Sequence, residues 1–543
     1  MAILKAVRGT RDLLPPETAL WNHVESTARA VFARYGFGEI RTPIFETTEL
    51  FARGVGEETD IVSKEMYTWE DGERFDPVSL RNVWVDKHKE ELGGWSEDGT
   101  ELEVEYLNGP SELVTFASRW NDRTIQSFIQ DLEARELSYG RIVVPTSSFE
   151  KQEETFENIV VEYIRGPFTK SSQSLTLRPE NTAGVVRAYI EHKLADTGQL
   201  QKLFYIGPQF RRERPQRGRY RQFWQIGAEV LGPPSSGSDS PLRDAEVLEM
   251  LATFLNELDI RNWRLALNSV GSAADRAHYS AALREALAPV KHQMCEDNQR
   301  RAETNPLRVL DSKDPNDQDL INALPKIADY LDEDSRSHFA QVKAALDACG
   351  VPYEVEPRLV RGLDYYTRTT FEFTIPDGSG LGTQNALLGG GRYDGLSEML
   401  GGPKAPGIGF AIGEDRLILT LQAQMEANAE ANKSGNQSGA GAPGPDSGTW
   451  VQKLDAFIAP MGVAQNAPAL ALAQELRRAG LSVEVGDGTF RLKKSFEIAD
   501  KLARNIIILG EDEATTNILT IKNFATTQQT KIPRNQLATA LKT

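Results

Sequence analysis

A cluster of arginines followed by an alternating segment constrains the fold of this chain more than any other feature. Six arginines lie between Arg211 and Arg221, and the residues that follow, FWQIGAE at 223–229, alternate in character. Such alternation is typical of a strand with one face towards a cleft. An arginine-rich loop that turns at Gly218 between two strands would bind anions, because guanidinium groups grip phosphate oxygens bidentately. A solvated basic face is the other interpretation of a charge run, and the ordered polar strand beside the loop disfavours it.

The composition predicts a soluble protein of several domains. The chain has 543 residues, and single cores stop growing at roughly 250–300 residues. No apolar run approaches the roughly 18 residues that a membrane span needs, and the first residues contain no signal-peptide core. The two cysteines, Cys295 and Cys349, provide no disulfide framework and match no metal-ligand spacing. They predict free thiols in a cytoplasmic protein.

The net charge of −17 argues weakly against nucleic-acid binding, but binding needs only a local basic surface. Residues 73–170 contain 20 acidic and 11 basic residues. This segment therefore carries about half of the net negative charge of the chain. The rest of the chain is much nearer neutral. A negative net charge is therefore compatible with a nucleic-acid partner that binds to a local cluster of arginines.

Periodicity predicts the elements of the first part of the chain. Apolar residues at helical spacing predict a helix over 17–35, and a strand over 38–43 follows. Residues 66–70 and 174–177 are predicted to be neighbouring strands that an insert of about a hundred residues separates. The insert is predicted to be a folded α+β domain with a helix over 124–137. Its predicted strands are 83–85, 102–107, 113–117, 141–144 and 159–164.

The second half of the chain divides into a helical part, a linker and a tail. Helices are predicted over 243–258 and 273–288 with a strand at 263–267 between them, and residues 289–349 are largely helical. The segment 423–449 is rich in Gly, Ala, Ser, Asn and Pro, which predicts a flexible linker. The tail alternates strands with helices and predicts a compact α/β domain with a mostly parallel sheet. Its strands are predicted at 456–459, 482–485 and 505–509, and its helices at 467–479 and 493–503.

Several segments, in one order, resemble a known family. The hairpin resembles motif 2 of the class II aminoacyl-tRNA synthetases and, in detail, that of the bacterial-type histidyl-tRNA synthetases. The supporting segments are AVRGTRDLLPPE (6–17), YGFGEIRTPIFE (35–46), LTLRPENTAG (175–184), LVRGLDYYTRTTFE (359–372), GGGRYDGL (389–396) and GFAIGEDRL (409–417). The resemblance covers residues 1–72 and 171–543. Each motif alone is weak, since GGGRYDG could be a turn and LDYY core packing, and their joint order carries the interpretation.

The resemblance implies a multidomain protein of mixed α/β and α+β class. A class II catalytic core with an antiparallel sheet would comprise 1–72 and 171–422, with a helical insertion at about 289–349 over the tRNA acceptor stem. The α+β insert at 73–170 interrupts this core. A flexible linker at 423–453 would lead to an anticodon-binding α/β domain at 454–543. The helix and strand of motif 1 imply a homodimer.

The function that the resemblance implies is a histidine–tRNA ligase. ATP and L-histidine would form histidyl-adenylate, and the histidyl group would pass to the 3′ end of tRNA(His). The first step joins two anions, so the protein must supply position and preorganised positive charge. The implied catalytic residues are Arg211, Arg361 and Arg416. Mg2+ is expected with ATP, and the sequence assigns no ligands to it.

Matching positions also imply the binding residues. The histidine-binding residues are Glu180, Asn181, Thr182, Arg211, Gln225, Glu229, Arg361, Tyr365, Tyr366 and Tyr393. The ATP-binding residues are Arg211, Glu213, Arg219, Phe223 and Arg416. Gln216 and Arg221 are expected at the acceptor end of tRNA.

Two other functions are possible for such a chain. One is a non-catalytic paralogue, the regulatory subunit of ATP phosphoribosyltransferase. Such proteins usually lack the C-terminal domain and parts of the arginine set, both of which this chain retains. The other is a scaffold or a regulated synthetase in which the insert binds a partner. Glu414 and Asp415 depart from the family pattern, since some relatives have leucine and glutamate there.

Overall fold

The computed structural model describes residues 4–56, 59, 61–71, 101–107, 139–145, 173–360, 365–375, 385–433 and 453–542. The chain forms two compact units. The first comprises Met1–Asp12 and Val24–Gln424, and the second comprises Leu13–His23 and Met425–Thr543. Within the described ranges, no helix has the length and apolar character that crossing a membrane would require.

The described strands and helices are numbered along the chain. The strands are β1 (Gly38–Glu39), β2 (Phe45–Thr47), β3 (Tyr67–Asp71), β4 (Glu101–Leu107), β5 (Tyr139–Pro145), β6 (Gln173–Leu177), β7 (Gln201–Phe210), β8 (Gln222–Leu231), β9 (Arg264–Ser269), β10 (Glu354–Val355), β11 (Thr367–Thr374), β12 (Ala386–Arg392), β13 (Gly407–Gly413), β14 (Leu454–Pro460), β15 (Val483–Val485), β16 (Ala503–Leu509), β17 (Ile518–Asn523) and β18 (Gln529–Pro533). The helices are α1 (Glu17–Arg34), α2 (Thr48–Val55), α3 (Thr182–Glu191), α4 (Pro241–Glu257), α5 (Ala273–Leu287), α6 (Glu296–Thr304), α7 (Gln318–Asn322), α8 (Glu333–Cys349), α9 (Leu396–Met399), α10 (Glu414–Lys433), α11 (Asn466–Arg478), α12 (Leu492–Leu502), α13 (Glu511–Thr516) and α14 (Leu537–Lys542).

The first unit is built on an eight-stranded sheet in the order β1-β7-β8-β13-β12-β11-β9-β10. Neighbouring strands from β7 to β9 are antiparallel. Among the described strands of this sheet, only the edge pairs, β1 with β7 and β10 with β9, are parallel. The antiparallel core that the resemblance implies is confirmed, and β13 lies between β8 and β12 in its middle.

The predicted arginine hairpin is formed by β7 and β8, whose last ladder pair is Phe210 with Gln222. At the tip of the loop, Gln216 and Arg219 exchange two backbone hydrogen bonds of 3.1 and 2.9 Å. Gly218 lies between them with a φ of 74°, a left-handed conformation that glycine adopts without the penalty of a side chain. The turn predicted at Gly218 is confirmed.

Helix α1 matches the helix predicted over 17–35, and its C-terminal half covers the sheet. The ring of Phe32 lies 5.5 Å from that of Phe204 on β7 and 5.9 Å from that of Phe410 on β13. The strand predicted over 38–43 is shorter, because only Gly38–Glu39 pairs with β7. The carbonyl oxygen of Thr42 instead accepts a hydrogen bond of 2.9 Å from the Arg178 guanidinium.

A buried ion-pair network joins β12 to α4. Arg392 and Asp244 are both fully buried, and the Arg392 Nε donates to the Asp244 Oδ1 at 3.0 Å. The Arg392 Nη1 also donates to Asp394 at 2.9 Å and to the carbonyl oxygen of Ser238 at 3.0 Å. The His338 Nε2 of α8 lies 3.6 Å from Asp244. A guanidinium with this many partners is satisfied without water.

The strands that flank the insert pair as predicted, since β3 is antiparallel to β6. Inside the insert, β4 and β5 form an antiparallel pair, which confirms the strands predicted at 102–107 and 141–144. The other predicted strands and the helix over 124–137 lie outside the described residues.

The region 289–349 is largely helical, as predicted, and contains α6, α7 and α8. Cys295, Asp314 and Asp317 have side-chain donor atoms within 4.8 Å of one another, a proximity that their spacing in the sequence does not indicate. Asp317 accepts hydrogen bonds from the Cys295 backbone N–H at 3.2 Å and from Asn298 at 2.6 Å. Its carboxylate therefore stabilises the start of α6.

The second unit contains a five-stranded sheet in the order β15-β14-β16-β17-β18. The predicted strands β14, β15 and β16 are parallel, but β17 and β18 add antiparallel. The parallel pairing predicted for these three strands is confirmed, but only two of the four pairings in the sheet are parallel, because the hairpin of β17 and β18 was not recognised.

Residues 423–433 of the predicted flexible linker are instead helical, because α10 continues to Lys433. The sequence AQMEANAEANK within it consists mainly of good helix formers. The rest of the predicted linker, residues 434–452, lies outside the described residues.

Candidate active site

A cavity of about 380 Å³ opens over the middle strands of the large sheet. Most of the predicted site residues line it: Glu180, Thr182, Arg211, Glu213, Arg219, Phe223, Gln225, Tyr365, Tyr366, Tyr393 and Arg416. These side chains come from the start of α3, the arginine hairpin, the residues just before β11, the residue just after β12 and the first turn of α10. The fold therefore brings together residues that the sequence spreads over five separate motifs.

Glu180 is placed by the start of α3. Its buried carboxylate accepts hydrogen bonds from the backbone N–H groups of Thr182 at 2.7 Å and Ala183 at 3.0 Å. Burial raises the pKa of Glu180, while these hydrogen bonds and the charge of Arg211 act in the opposite direction. The helix N-terminus thus holds an acidic group at one wall of the cavity.

Arg211 is held from two sides. Its Nε donates to the carbonyl oxygen of Pro179 at 2.9 Å, and its guanidinium lies over the ring of Phe223, 5.3 Å from the centroid. The terminal nitrogen Nη1 lies 3.8 Å from Glu213. The hydrogen bond and the stacking fix the plane of the guanidinium before any ligand is present.

Two further arginines belong to the same end of the cavity. The Arg416 Nη1 donates to the carbonyl oxygen of Ala386 at 2.8 Å, and Arg219 lies 3.2 Å from Glu213. Burial lowers the pKa of Arg416, and the positive charge of Arg219 lowers it further. Three guanidinium groups converge here, so this end of the cavity is suited to a polyanion.

The polar end of the cavity is lined by Thr182 and Tyr393, which both contact the buried side chain of Glu229. The fully buried carboxyl group of Glu229 accepts hydrogen bonds from the hydroxyls of Thr182 at 2.7 Å and Tyr393 at 2.6 Å. Burial raises the pKa of Glu229 to about 8. Gly409 makes room for this group, since a Cβ atom there would lie 1.7 Å from the Glu229 Oε2.

Three tyrosines enclose this polar end. The ring centroid of Tyr365 lies 4.7 Å from that of Tyr366 and 5.9 Å from that of Tyr393. Burial raises the pKa of Tyr365 and Tyr393 well above the usual range, so their hydroxyls remain protonated. Together with Glu229 they form a pocket with a few fixed polar groups among aromatic rings, which is typical of a selective small-molecule site.

Among the described residues, four predicted site residues do not line the cavity: Asn181, Gln216, Arg221 and Glu229. Glu229 is fully buried and contacts Thr182, Tyr393 and Gly409, which do line it. Asn181 is buried, but its Oδ1 accepts a hydrogen bond from the Thr42 hydroxyl at 2.5 Å, because the start of α3 turns this side chain away from the cavity. Gln216 is exposed at the hairpin tip, and the Arg221 Nη1 donates to the carbonyl oxygen of Arg8 at 3.3 Å. Arg361 lies outside the described residues.

Sequence reasoning missed four polar side chains that line the cavity: Tyr205, Tyr220, Glu372 and Asp415. The signal for Tyr205 was present in the opposite strand. Gly227, its partner in the ladder, interrupts the polar series between Gln225 and Glu229, and a Cβ atom at Gly227 would lie 2.4 Å from the Tyr205 ring. A glycine inside a polar strand indicates that a bulky neighbour fills its place.

A second buried carboxyl group lies at the start of α10. Glu414 is fully buried, and among the described residues neither of its oxygens has a hydrogen-bond partner. Burial raises its pKa to about 9, with smaller contributions from Glu25 and Asp415, while Arg29 opposes them.

Glu414→Gln should therefore stabilise the protein in a pH-dependent way. Between the ordinary glutamate pKa and about 9, the folded state keeps a proton that the unfolded state has lost, so stability falls as pH rises. Each pH unit in this range can lower the stability of the parent by at most about 1.4 kcal/mol. We therefore expect the stability advantage of Glu414→Gln over the parent to grow by about 2 kcal/mol between pH 5 and pH 8. Thermal melting of both proteins across this range would measure it. An equal melting difference at every pH would contradict the assignment.

Comparisons with known proteins agree with this geometry. The family model described as histidyl-tRNA synthetase matches residues 133–417, and the anticodon binding domain model matches residues 455–543. The histidine–tRNA ligase of Koribacter versatilis (strain Ellin345) is 52% identical over 537 residues, which are 99% of this chain and 95% of that protein. The histidine–tRNA ligase of Solibacter usitatus (strain Ellin6076) is 42% identical, with 99% of each chain covered.

A solved structure shows the same likeness. The apo histidyl-tRNA synthetase of S. aureus matches with a TM-score of 0.64 at 30% identity, and the match covers 100% of both chains. Sequence identity and fold thus extend over both units. This chain belongs to the histidyl-tRNA synthetase family.

Proposed function

We propose that this chain is a histidine–tRNA ligase, which activates L-histidine with ATP and transfers it to the 3′ end of tRNA(His). One observation carries the proposal. A single cavity joins an end with three arginines to an end where Thr182 and Tyr393 of the wall donate hydrogen bonds to the buried carboxyl group of Glu229. The first end suits a triphosphate, and the second suits a small polar ring with hydrogen-bonding nitrogens.

The arginine end would bind ATP. We propose that Arg211 binds the α-phosphate, that Phe223 stacks on adenine, and that Arg219 and Arg416 bind the outer phosphates. Glu213, which lies 3.8 Å from Arg211 and 3.2 Å from Arg219, would bridge these two guanidinium groups until ATP enters. Arg361 is proposed beside the α-phosphate on the resemblance alone.

Mg2+ is proposed to enter with ATP. Glu213 and Glu372 are carboxylates of the cavity wall near Arg416, and hard oxygen ligands of this kind fit Mg2+, which keeps much of its shell for water and phosphate. When bound, Mg2+ would neutralise part of the phosphate charge.

The polar end would bind histidine. Glu229 and Tyr366 would meet the imidazole nitrogens, with Tyr365 and Tyr393 around the ring. Glu180, Thr182 and Gln225 would hold the α-ammonium group, since a carboxylate facing an ammonium forms a strong charge-assisted hydrogen bond. The structure gives Asn181 a partner outside the cavity, so we assign it a supporting place at the start of α3.

In the reaction, these residues would position a histidine carboxylate oxygen for attack on the α-phosphorus. The bond from that phosphorus to the pyrophosphate oxygen would break as the new phosphorus–oxygen bond forms. Arg211 would stabilise charge on the α-phosphate oxygens, while Arg219 and Arg416 would stabilise the leaving pyrophosphate.

The remaining units have proposed roles. Residues 1–72 and 171–422 would form the catalytic core, with the helical insertion at about 289–349, and residues 454–543 would bind the anticodon. The insert at 73–170 and the linker at 423–453 complete the chain. We propose a homodimer that works in the cytoplasm, and Gln216 and Arg221 on the exposed hairpin as contacts for the tRNA acceptor end. Such contacts weaken with salt.

The regulatory paralogue is not favoured. Relatives named histidine–tRNA ligase match over 99% of this chain, and the chain keeps both the arginine set and the C-terminal unit. No described feature points specifically to a regulatory subunit.

The test is histidine-dependent ATP–pyrophosphate exchange by the full chain, with each other amino acid in comparison. Glu229→Gln should lower kcat/KM for histidine about 100-fold. A site built around a hydrogen-bonding group stabilises its own substrate less well, and so discriminates less, when that group is replaced. Glu414→Gln, a matched change of a buried carboxyl group outside the cavity, should keep exchange near the parent level. Exchange with another amino acid and none with histidine would overturn the proposed function.

A further inference from the structure

The segment before α1 is docked on the arginine loop. The Thr10 N–H and hydroxyl both donate to the carbonyl oxygen of Val7, at 2.9 and 2.8 Å, and so form a turn. The Arg221 N–H donates to the carbonyl oxygen of Gly9 at 2.7 Å. Gly9 has a φ of 92°, and a Cβ atom there would lie 2.8 Å from side-chain atoms of Arg221 and Pro215. The turn therefore fits closely against the base of the loop.

Arg11 extends from this turn to two residues of the cavity wall. Its Nη2 lies 2.9 Å from the Asp415 Oδ1, and its guanidinium lies over the Tyr220 ring, 4.8 Å from the centroid. The other oxygen of Asp415 accepts a hydrogen bond of 3.3 Å from the Trp224 N–H on β8. The side chain of Asp415 is only 6% exposed, and that of Arg11 is 30% exposed.

These contacts link two elements that carry the proposed ATP ligands. Tyr220 follows Arg219 in the arginine loop, and Asp415 precedes Arg416 in the first turn of α10. A loop is usually the most mobile part of a site. One guanidinium bound to both elements limits the distance between Arg219 and Arg416 before ATP arrives, which lowers the ordering cost of binding.

We propose that Arg11 is a positioning residue for ATP, which connects the arginine loop to the start of α10. The inference rests on the proposed function, because it assigns Arg11 to the ATP half of the reaction. Arg11 itself need not touch the nucleotide. Its effect should therefore appear in the use of ATP and spare the histidine pocket, which is built on other residues.

The test is Arg11→Ala in the full chain, with ATP and histidine varied separately in the exchange assay. We expect the KM for ATP to rise about tenfold, the effect of losing one charge-assisted hydrogen bond, and the KM for histidine to stay within about twofold. Arg11→Lys should recover part of the loss. Asp415→Asn should raise the KM for ATP similarly, and the double variant should add little to either change.

Arg8→Ala is the matched control. It removes a cation from the same turn, while the carbonyl group that binds Arg221 remains. An unchanged KM for ATP in Arg11→Ala would overturn the proposal, as would an equal rise in both KM values with a lower melting temperature. Absence of exchange in the parent would instead count against the proposed function. Calorimetric titration with ATP would then decide the role of Arg11, because that role requires only that the parent and Arg11→Ala differ in their Kd for ATP.

Discussion

Replacing Arg211 by alanine should lower histidine-dependent ATP–pyrophosphate exchange about 100- to 1,000-fold, the effect of removing one preorganised donor from a transition state. Arg211 is stacked on Phe223 and bonded to the Pro179 carbonyl oxygen, so its guanidinium is in place before the substrates bind. Much of the loss should lie in kcat, because negative charge at the α-phosphate grows as the reaction proceeds. Steady-state exchange at saturating ATP and histidine would measure it.

The neighbouring arginine provides the control. Arg212 is exposed, and its guanidinium lies over the ring of Tyr67, 5.1 Å from the centroid; it does not line the cavity. Arg212→Ala removes the same charge one position along the loop and should change exchange by less than about tenfold. Arg211→Lys should be nearly as inactive as Arg211→Ala, because an ammonium group cannot reproduce the planar fork. If Arg211→Ala kept exchange within about tenfold of the parent, Arg211 would have no catalytic role.

The largest effect on stability is expected at Arg392. Arg392→Met should lower the free energy of unfolding by about 3–5 kcal/mol, because it leaves the carboxylate of Asp244 buried without its main partner. Both side chains are fully buried. Urea denaturation followed by circular dichroism would measure the change.

Two controls separate charge from packing. In Arg392→Met with Asp244→Leu, both charges are gone, and most of the lost stability should return. Arg534→Met breaks an exposed pair with Glu475 in the second unit and should cost less than about 1 kcal/mol. A double variant as unstable as Arg392→Met alone would assign the cost to the lost volume of the arginine side chain.

Local patterns were enough to predict the hairpin and several of the helices, whereas the predicted residues of the cavity wall came from the resemblance. Alternation fixed the face of β8 on which Gln225 and Glu229 lie, and glycine at 218 fixed the turn. These features depend on residues that are close together in the sequence. The resemblance then implied which distant motifs contribute residues to the same site.

Contacts between distant segments could not be predicted in this way. Nothing in the alternation of β8 indicates that Glu229 will meet the hydroxyls of Thr182 and Tyr393, yet these partners and its burial determine its proton affinity. The same limit explains Asn181, which the motif assigned to the cavity and the turn of α3 directs to Thr42. It also explains Arg11, whose partners Tyr220 and Asp415 lie far along the chain.

The position of β13 in the middle of the large sheet has a consequence for the order of events during synthesis. Glu229 and Tyr393, which bond to each other, are 164 residues apart in the chain, and Gly409 on β13 lies beside Glu229 still later. A chain emerging from the ribosome therefore carries the arginine hairpin long before it carries the strand that completes the pocket. Since chains emerge at about 5–20 residues per second, the nascent protein spends roughly ten seconds or more with the arginine hairpin and without the strand that completes the candidate site.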